Sequence, residues 1–299
     1  MSDKHFEEFK FLTQPRETLV GTETPIEQAE YIAFGVPYDL TSSFRPGSRY
    51  GPEHVRRFSM NIESNSLYRD FDAMRVMIYD AGNIVFDYRL SAMLKHVYRL
   101  SRMIDGMGKV PVMIGGEHTF TLAAVQALRK PRLSLLVFDA HLDLRDEYCG
   151  LRINHATYLR RLSEKRPEMP IMVVGARGYE RAEVEYAKKR GITILNSVEC
   201  GKTMELSRLV EEFVGGREVY LSVDIDVLDP AYAPGVGNPE PGGLTTAQTL
   251  EIINMIRDTR IVGFDIMEVS PLYDNGSTSA AACRILFELL AATSGARYL

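Results

Sequence analysis

Tryptophan is missing from the 299 residues, and cysteine occurs three times. Cys149, Cys200 and Cys283 are odd in number and far apart. That excludes a disulfide frame and a CxxC zinc site, and points to reduced thiols in a cytoplasmic protein. Long apolar runs are missing too. Without about 18 consecutive apolar residues nothing spans a bilayer. The charged opening residues, Met1 to Lys10, lack the apolar centre of a secretory leader. No block of lysine and arginine occurs and the formal charge is -5, which argues against nucleic acid as a partner. There is no internal repeat, low-complexity tract or evident linker.

What remains is an ordinary globular composition, 45% hydrophobic, sufficient for a sizeable core. Residues 1–30 read as a polar arm, packed on the rest or reaching a neighbouring subunit. From residue 31 to 299 the chain reads as one catalytic domain. Short aliphatic runs alternate there with amphipathic stretches. Strands are expected at Tyr31–Val36, Arg75–Tyr79, Val110–Ile114, Leu133–Phe138, Ile171–Val174, Ile192–Leu195, Val219–Val223 and Ile261–Ile266. Helices are expected at Arg89–Met107, Thr119–Arg129, His155–Lys165, Arg181–Arg190, Met204–Val214, Thr245–Asp258 and Ser279–Ala292. Pro52 suits the first turn of a short helix ending near Phe58. Eight strands separated by helices mean parallel pairing with crossover connections, in a doubly wound α/β sheet or a closed barrel. In either architecture the working site lies at the carboxyl ends of the strands.

Polar residues that break the apolar pattern cluster at four such ends. They are His118 after Gly115-Gly116-Glu117, then Asp139, His141 and Asp143, then Asp224 and Asp226, then Glu268. In extended chain, alternate residues share a face, so Asp139, His141 and Asp143 aim at one region, as do Asp224 and Asp226. Buried carboxylates without a basic partner require a cation, most simply a metal ion. The donors exceed what one ion needs. Carboxylates with some imidazole suit manganese better than zinc, and two ions about 3.5–4 Å apart can activate a water between them. Other residues have plainer readings. His118 alone fits a hydrogen-bonded residue after a glycine turn. Asp229 before Pro230 fits a turn. Cys149 reads as an inert, partly buried thiol.

Gly115-Gly116-Glu117-His118, Asp139-Ala140-His141-Leu142-Asp143, Ser222-Val223-Asp224-Ile225-Asp226 with Asp229-Pro230, Ala233-Pro234-Gly235 and Pro241-Gly242-Gly243, and Asp265-Ile266-Met267-Glu268 resemble the signatures of the ureohydrolase (arginase/agmatinase) family. Arg45-Pro46-Gly47 through Gly51-Pro52 is similar to its early loop. The resemblance runs from about residue 31 to the C-terminus. It implies a three-layer α/β/α fold with an eight-stranded parallel sheet, two Mn²⁺ per subunit and hydrolysis of a guanidino group to urea. Residue by residue, it implies that His118 and Asp143 ligate one ion and His141 and Asp226 the other, with Asp139 and Asp224 bridging. Asp143 would also carry a proton to the leaving amine. His155 would shuttle protons, although Ala156 stands after it where many members have glycine. Glu268 would pair with the substrate guanidinium. It further implies a homo-oligomer, trimeric or hexameric.

The segment between Asp143 and His155 lacks the Asn, Ser and Thr run with which arginases hold a substrate carboxylate. Its Arg145-Asp146-Glu147-Tyr148 is similar to agmatinase loops. The expected substrate is therefore agmatine, with Asp146 or Glu147 near its ammonium, unless these acids pair with Arg145 or Arg152. Arginine, guanidinobutyrate and an aminopropyl-agmatine are the rivals within the family. A non-catalytic subunit and a zinc amide deacetylase are the rivals outside it.

Overall fold

The computed structural model describes residues 12–14, 18–21, 24–198, 203–256 and 259–295. Its strands are β1 (Thr13–Gln14), β2 (Tyr31–Val36), β3 (Ile78–Ile84), β4 (Val110–Gly115), β5 (Leu133–Phe138), β6 (Ile171–Ala176), β7 (Thr193–Asn196), β8 (Glu218–Asp224) and β9 (Arg260–Met267). Its longer helices are α1 (Gly51–Ser59), α2 (Leu90–Gly106), α3 (Thr121–Ala127), α4 (Tyr158–Lys165), α5 (Arg181–Arg190), α6 (Thr203–Val214), α7 (Thr246–Met255) and α8 (Ser277–Thr293).

The strands form one open sheet in the order β1-β3-β2-β4-β9-β8-β5-β6-β7. Eight are parallel, as expected, and the sheet does not close into a barrel. The ninth strand, β1, lies in the segment expected to be an arm. It pairs antiparallel with β3, Thr13 opposite Ile84 and Gln14 opposite Asn83. Two residues carry too little periodicity to be read as a strand from sequence.

Alternation along the strands divides the core in two. In β5, Leu136 and Phe138 join one apolar cluster, and Leu133, Leu135 and Val137 join the other. Side chains of α1, α6, α7 and α8 complete the first layer, and those of α2, α3, α4 and α5 the second. All six residues of β5 are buried, which is why that strand reads as a continuous apolar run.

Several boundaries differ from expectation. The second parallel strand begins at Ile78, because Ala73–Arg75 form a short 3₁₀ turn capped by Asp72, and it runs on to Ile84. The helix expected from Thr119 starts at Thr121, behind a 3₁₀ turn over His118–Phe120. The one expected from His155 starts at Tyr158. Before it, Asn154 N–H donates to Thr157 Oγ1 at 2.9 Å and Ala156 N–H donates to Asn154 Oδ1 at 3.1 Å, bending residues 154–157 into a turn. Thr245 is the expected N-cap, exchanging hydrogen bonds with Gln248. Asp258 and Cys200 lie outside the described residues. Among those described, no helix is long and apolar enough to cross a membrane.

Candidate active site

The four strands that end in acids or histidines, β4, β9, β8 and β5, are consecutive neighbours at the centre of the sheet. Their last rungs are level: Ile114 pairs with Ile266, Ile266 with Val223, and Val223 with Phe138. The residues that follow therefore leave the sheet at one height and meet.

They meet at the floor of a cavity of about 260 Å³, lined by His118, His141, Asp143, Asp224, Asp226 and Glu268 among others. His118 Nδ1 stands 3.0 Å from Asp139 Oδ2, 3.2 Å from Asp224 Oδ2 and 3.6 Å from Asp143 Oδ2. His141 Nδ1 stands 2.9 Å from Asp226 Oδ2 and 3.6 Å from Asp139 Oδ1. Two groups result, His118 with Asp139 and Asp143, and Asp139 with His141 and Asp226. In each, one ligand atom per residue lies within 4.8 Å of the others. Asp139 belongs to both.

The surroundings fix how His118 presents itself. Asp265 accepts from Ser222 Oγ at 2.5 Å, Tyr220 Oη at 2.8 Å and Thr121 Oγ1 at 2.9 Å. With its own proton committed to Asp265, Ser222 Oγ accepts from His118 Nε2–H at 2.8 Å. Tyr158 Oη sits 3.0 Å from the same nitrogen. Nδ1 is thereby turned on the carboxylates, buried and without a hydrogen bond of good geometry. That is the donor set and orientation of a metal-binding imidazole with an oriented back side. The residues fit a dinuclear cation site.

Charge tells the same story. Burial opposes a charge on His118, but Asp139 and Asp224 outweigh it and hold the imidazole well above its ordinary pKa. Burial likewise opposes the charge on His141, and Asp226 and Asp139 outweigh it. Burial and then the neighbouring carboxylate of Asp139 push Asp143 well above the usual range. For Asp224 the causes are burial and then Asp226. Glu268 is pushed up to about 8, by burial first and Glu117 second. So many acids together ask for positive charge.

The backbone is unusual at two of these positions. Asp143 (φ 49°) and Glu268 (φ 64°) both occupy the left-handed region. Such residues cost about 1–3 kcal/mol each and gather at functional sites. Glu268 Oε1 accepts from the His118 backbone N–H at 2.8 Å, which aims the other oxygen toward the cavity. His155 lines the cavity with Nε2 3.1 Å from Ser43 Oγ. Burial and then the charge on His141 lower its pKa to about 4, so its ring is neutral.

Residues 29–292 match the family described as Arginase. The chain belongs to the arginase family. An agmatinase of Bacillus anthracis is 35% identical over 280 residues, covering 91% of this chain and 94% of that one. A guanidinobutyrase of Pseudomonas aeruginosa is 36% identical over 289 residues, covering 92% and 90%. The crystal structure of an agmatine ureohydrolase of Thermoplasma volcanium superposes with a TM-score of 0.86 at 35% identity, covering 97% and 98%. The arginase-type α/β fold and membership among its hydrolases follow.

Around the rest of this family member's cavity, Asp146 and Asp229 take the pairing and turn roles given among their expected readings, and Cys149 departs from its own. Asp146 is turned away, 2.5 Å from Arg161, 3.4 Å from Arg160 and 3.6 Å from Arg152. Glu147 is exposed and is not part of the lining. Arg145 does line it, but its guanidinium is 2.9 Å from Glu180 Oε1 and lies over the Tyr148 ring. Asp229 holds its turn, accepting from the N–H groups of Ala231, Gly242 and Gly243. Cys149 is exposed rather than partly buried, because a left-handed turn at Cys149 and Gly150 carries it out at the loop tip. Sequence reasoning missed Tyr158, Ser43, Asn238 and Glu240. Glu240 directly precedes the Pro241-Gly242-Gly243 signature, which is the one available signal, and the fold brings the others to the site.

Proposed function

We propose that this chain is a dimanganese ureohydrolase that cleaves agmatine to putrescine and urea. One observation carries the choice of substrate class. The cavity is lined by carboxylates, and Arg145, the one lysine or arginine among the described residues that line it, is already paired with Glu180. Such a pocket attracts a dication and repels a substrate carboxylate. The agmatinases among the relatives support the same choice.

In this reading the two ions would be held by His118 and Asp143 at one, His141 and Asp226 at the other, and Asp139 and Asp224 between them. Carboxylates with imidazole favour Mn²⁺ over Zn²⁺. When bound, the ions act as Lewis acids and make water a nucleophile at neutral pH. Glu268 receives the guanidinium through its free carboxylate oxygen and fixes the guanidino carbon over the cluster. Asp143, held at a strained φ, carries a proton on its carboxylate to the leaving amine. His155, next to Ser43 at the cavity mouth, would relay protons through its ring nitrogens, and with its pKa lowered to about 4 it passes each proton on rather than holding it. Residues 31–299 act as the catalytic domain, the first 30 as an arm packed on it through β1, Leu19 and Val20, and the chain works in the cytoplasm as a homo-oligomer, a trimer or hexamer.

The test is urea release from agmatine, arginine and 4-guanidinobutyrate by the Mn²⁺-loaded chain, with metal content measured by mass spectrometry. Agmatine turning over fastest with two Mn per chain is the expected result. Faster arginine turnover, or one zinc per chain, overturns it.

A further inference from the structure

One carboxylate of the cavity has no part in the chemistry described above. Glu240 lines the same cavity, and its carboxylate makes no hydrogen bond or ion pair with any described residue. The other acids around the mouth are already engaged. Glu183 accepts from the backbone N–H groups of Leu144 and Glu180, both at 2.9 Å. Glu180 pairs with Arg145, and Asp146 with Arg161.

Glu240 is also held in place. Arg177 donates to its carbonyl from Nε at 2.9 Å and from Nη2 at 2.7 Å. The same Nη2 donates to the carbonyl of Asp226 at 2.7 Å. One guanidinium thus ties the backbone of Glu240 to the backbone of a residue at the cavity floor. Pro239 and Pro241 restrict the chain on either side. Gly178 leaves room for the stem: a Cβ there would stand 3.0 Å from Glu240 Cγ and 2.9 Å from His141 Cδ2.

Length decides what Glu240 can reach. A Cβ on Gly237 would stand 3.8 Å from Glu268 Oε2, so the loop passes beside the carboxylate at the guanidinium end. Glu240 is three residues further on, a span of at most about 10 Å in extended chain. In agmatine six bonds separate the guanidino carbon from the ammonium nitrogen, roughly 7–8 Å at full stretch with bonds near 1.5 Å.

We propose that Glu240 determines specificity for the substrate tail: its carboxylate receives the distal ammonium of a diamine-derived guanidine whose guanidinium is held by Glu268. A substrate ending in a carboxylate meets like charge there and is rejected. This rests on the guanidine-hydrolase reading of the pocket.

The experiment compares wild type with Glu240→Gln and Glu240→Ala, each loaded with Mn²⁺, on agmatine and on n-pentylguanidine, which carries a methyl group in place of the ammonium. The ratio of the two kcat/KM values cancels any difference in the fraction of folded protein. Loss of one charge-assisted hydrogen bond should lower that ratio about tenfold, through KM for agmatine rather than kcat. The rise in melting temperature that agmatine gives the wild type should shrink in both variants. A ratio within twofold of wild type overturns the role of Glu240 while leaving agmatine as substrate. Wild-type protein that hydrolyses 4-guanidinobutyrate and ignores agmatine overturns the substrate reading and this assignment together.

Discussion

Ser222 Oγ lies 2.5 Å from Asp265 Oδ1, inside the sheet and beneath the candidate metal centre. Neither residue lines the cavity, yet the pair decides which nitrogen of His118 faces the acids. Asp265→Asn leaves one acceptor oxygen for the three hydroxyls of Ser222, Tyr220 and Thr121 and sets an NH₂ donor among them, so the Ser222 proton is no longer reserved for Asp265 and kept away from His118. Loss of such a support typically costs 10–100-fold in metal affinity or activity. We expect a fall of about that size in Mn²⁺ affinity, read by titration with a metal indicator. An affinity within twofold of wild type would refute the orienting role.

Asp143 and Glu268 share a strained backbone. Asp143→Gly relieves the left-handed φ and removes one of several crowded carboxylates. Proton transfer by a positioned side chain contributes about 10²–10⁴-fold, so urea release should fall by that factor. Metal-stripped variant protein should melt no lower than metal-stripped wild type, and it should gain less from added Mn²⁺. Scanning calorimetry with and without chelator checks both. A clear drop in the chelated melting temperature would mean that Asp143 serves the fold.

Arg177 joins five carbonyls, those of Gly175, Asp226, Val227, Leu228 and Glu240. A lysine cannot reproduce that planar fan of donors. Arg177→Lys should lower stability by about 1–3 kcal/mol, measured by urea denaturation. It should also weaken discrimination among guanidines, because Glu240 loses its anchor.

The two described cysteines should separate under alkylation. Cys149 is exposed at a loop tip. Burial pushes the Cys283 thiol far up, and its Sγ donates to the Val55 carbonyl at 2.9 Å. Iodoacetamide on the folded protein should label Cys149 within minutes and leave Cys283 untouched until denaturant is added. Mass spectrometry of the peptides reads the outcome, and labelling of folded Cys283 would contradict the packing around α8.

Seven acids and histidines are legible in the amino-acid order alone, because each follows an apolar run and breaks its pattern, and in two of the four segments the spacing puts alternate residues on one face. Eight parallel strands are legible for the same reason. The ninth strand, the turn ahead of α4 and the exposure of Cys149 are not, since each depends on two or three residues and on hydrogen bonds to partners elsewhere. Asp146 shows the limit well. Its place beside the site in sequence leaves two readings open, a substrate contact or a pairing with Arg152, and the fold decides for the pairing by adding Arg160 and Arg161.

By itself the sequence determined the chemistry available: which strand ends carry oxygen and nitrogen donors, and that they exceed any basic residue nearby. Only the tertiary structure decided their company. The order β4-β9-β8-β5 sets four distant segments side by side, and level rungs bring their ends to one height. Periodicity is a local property that a chain writes along its own length, whereas strand order and side-chain pairing come from which faces bury best against each other.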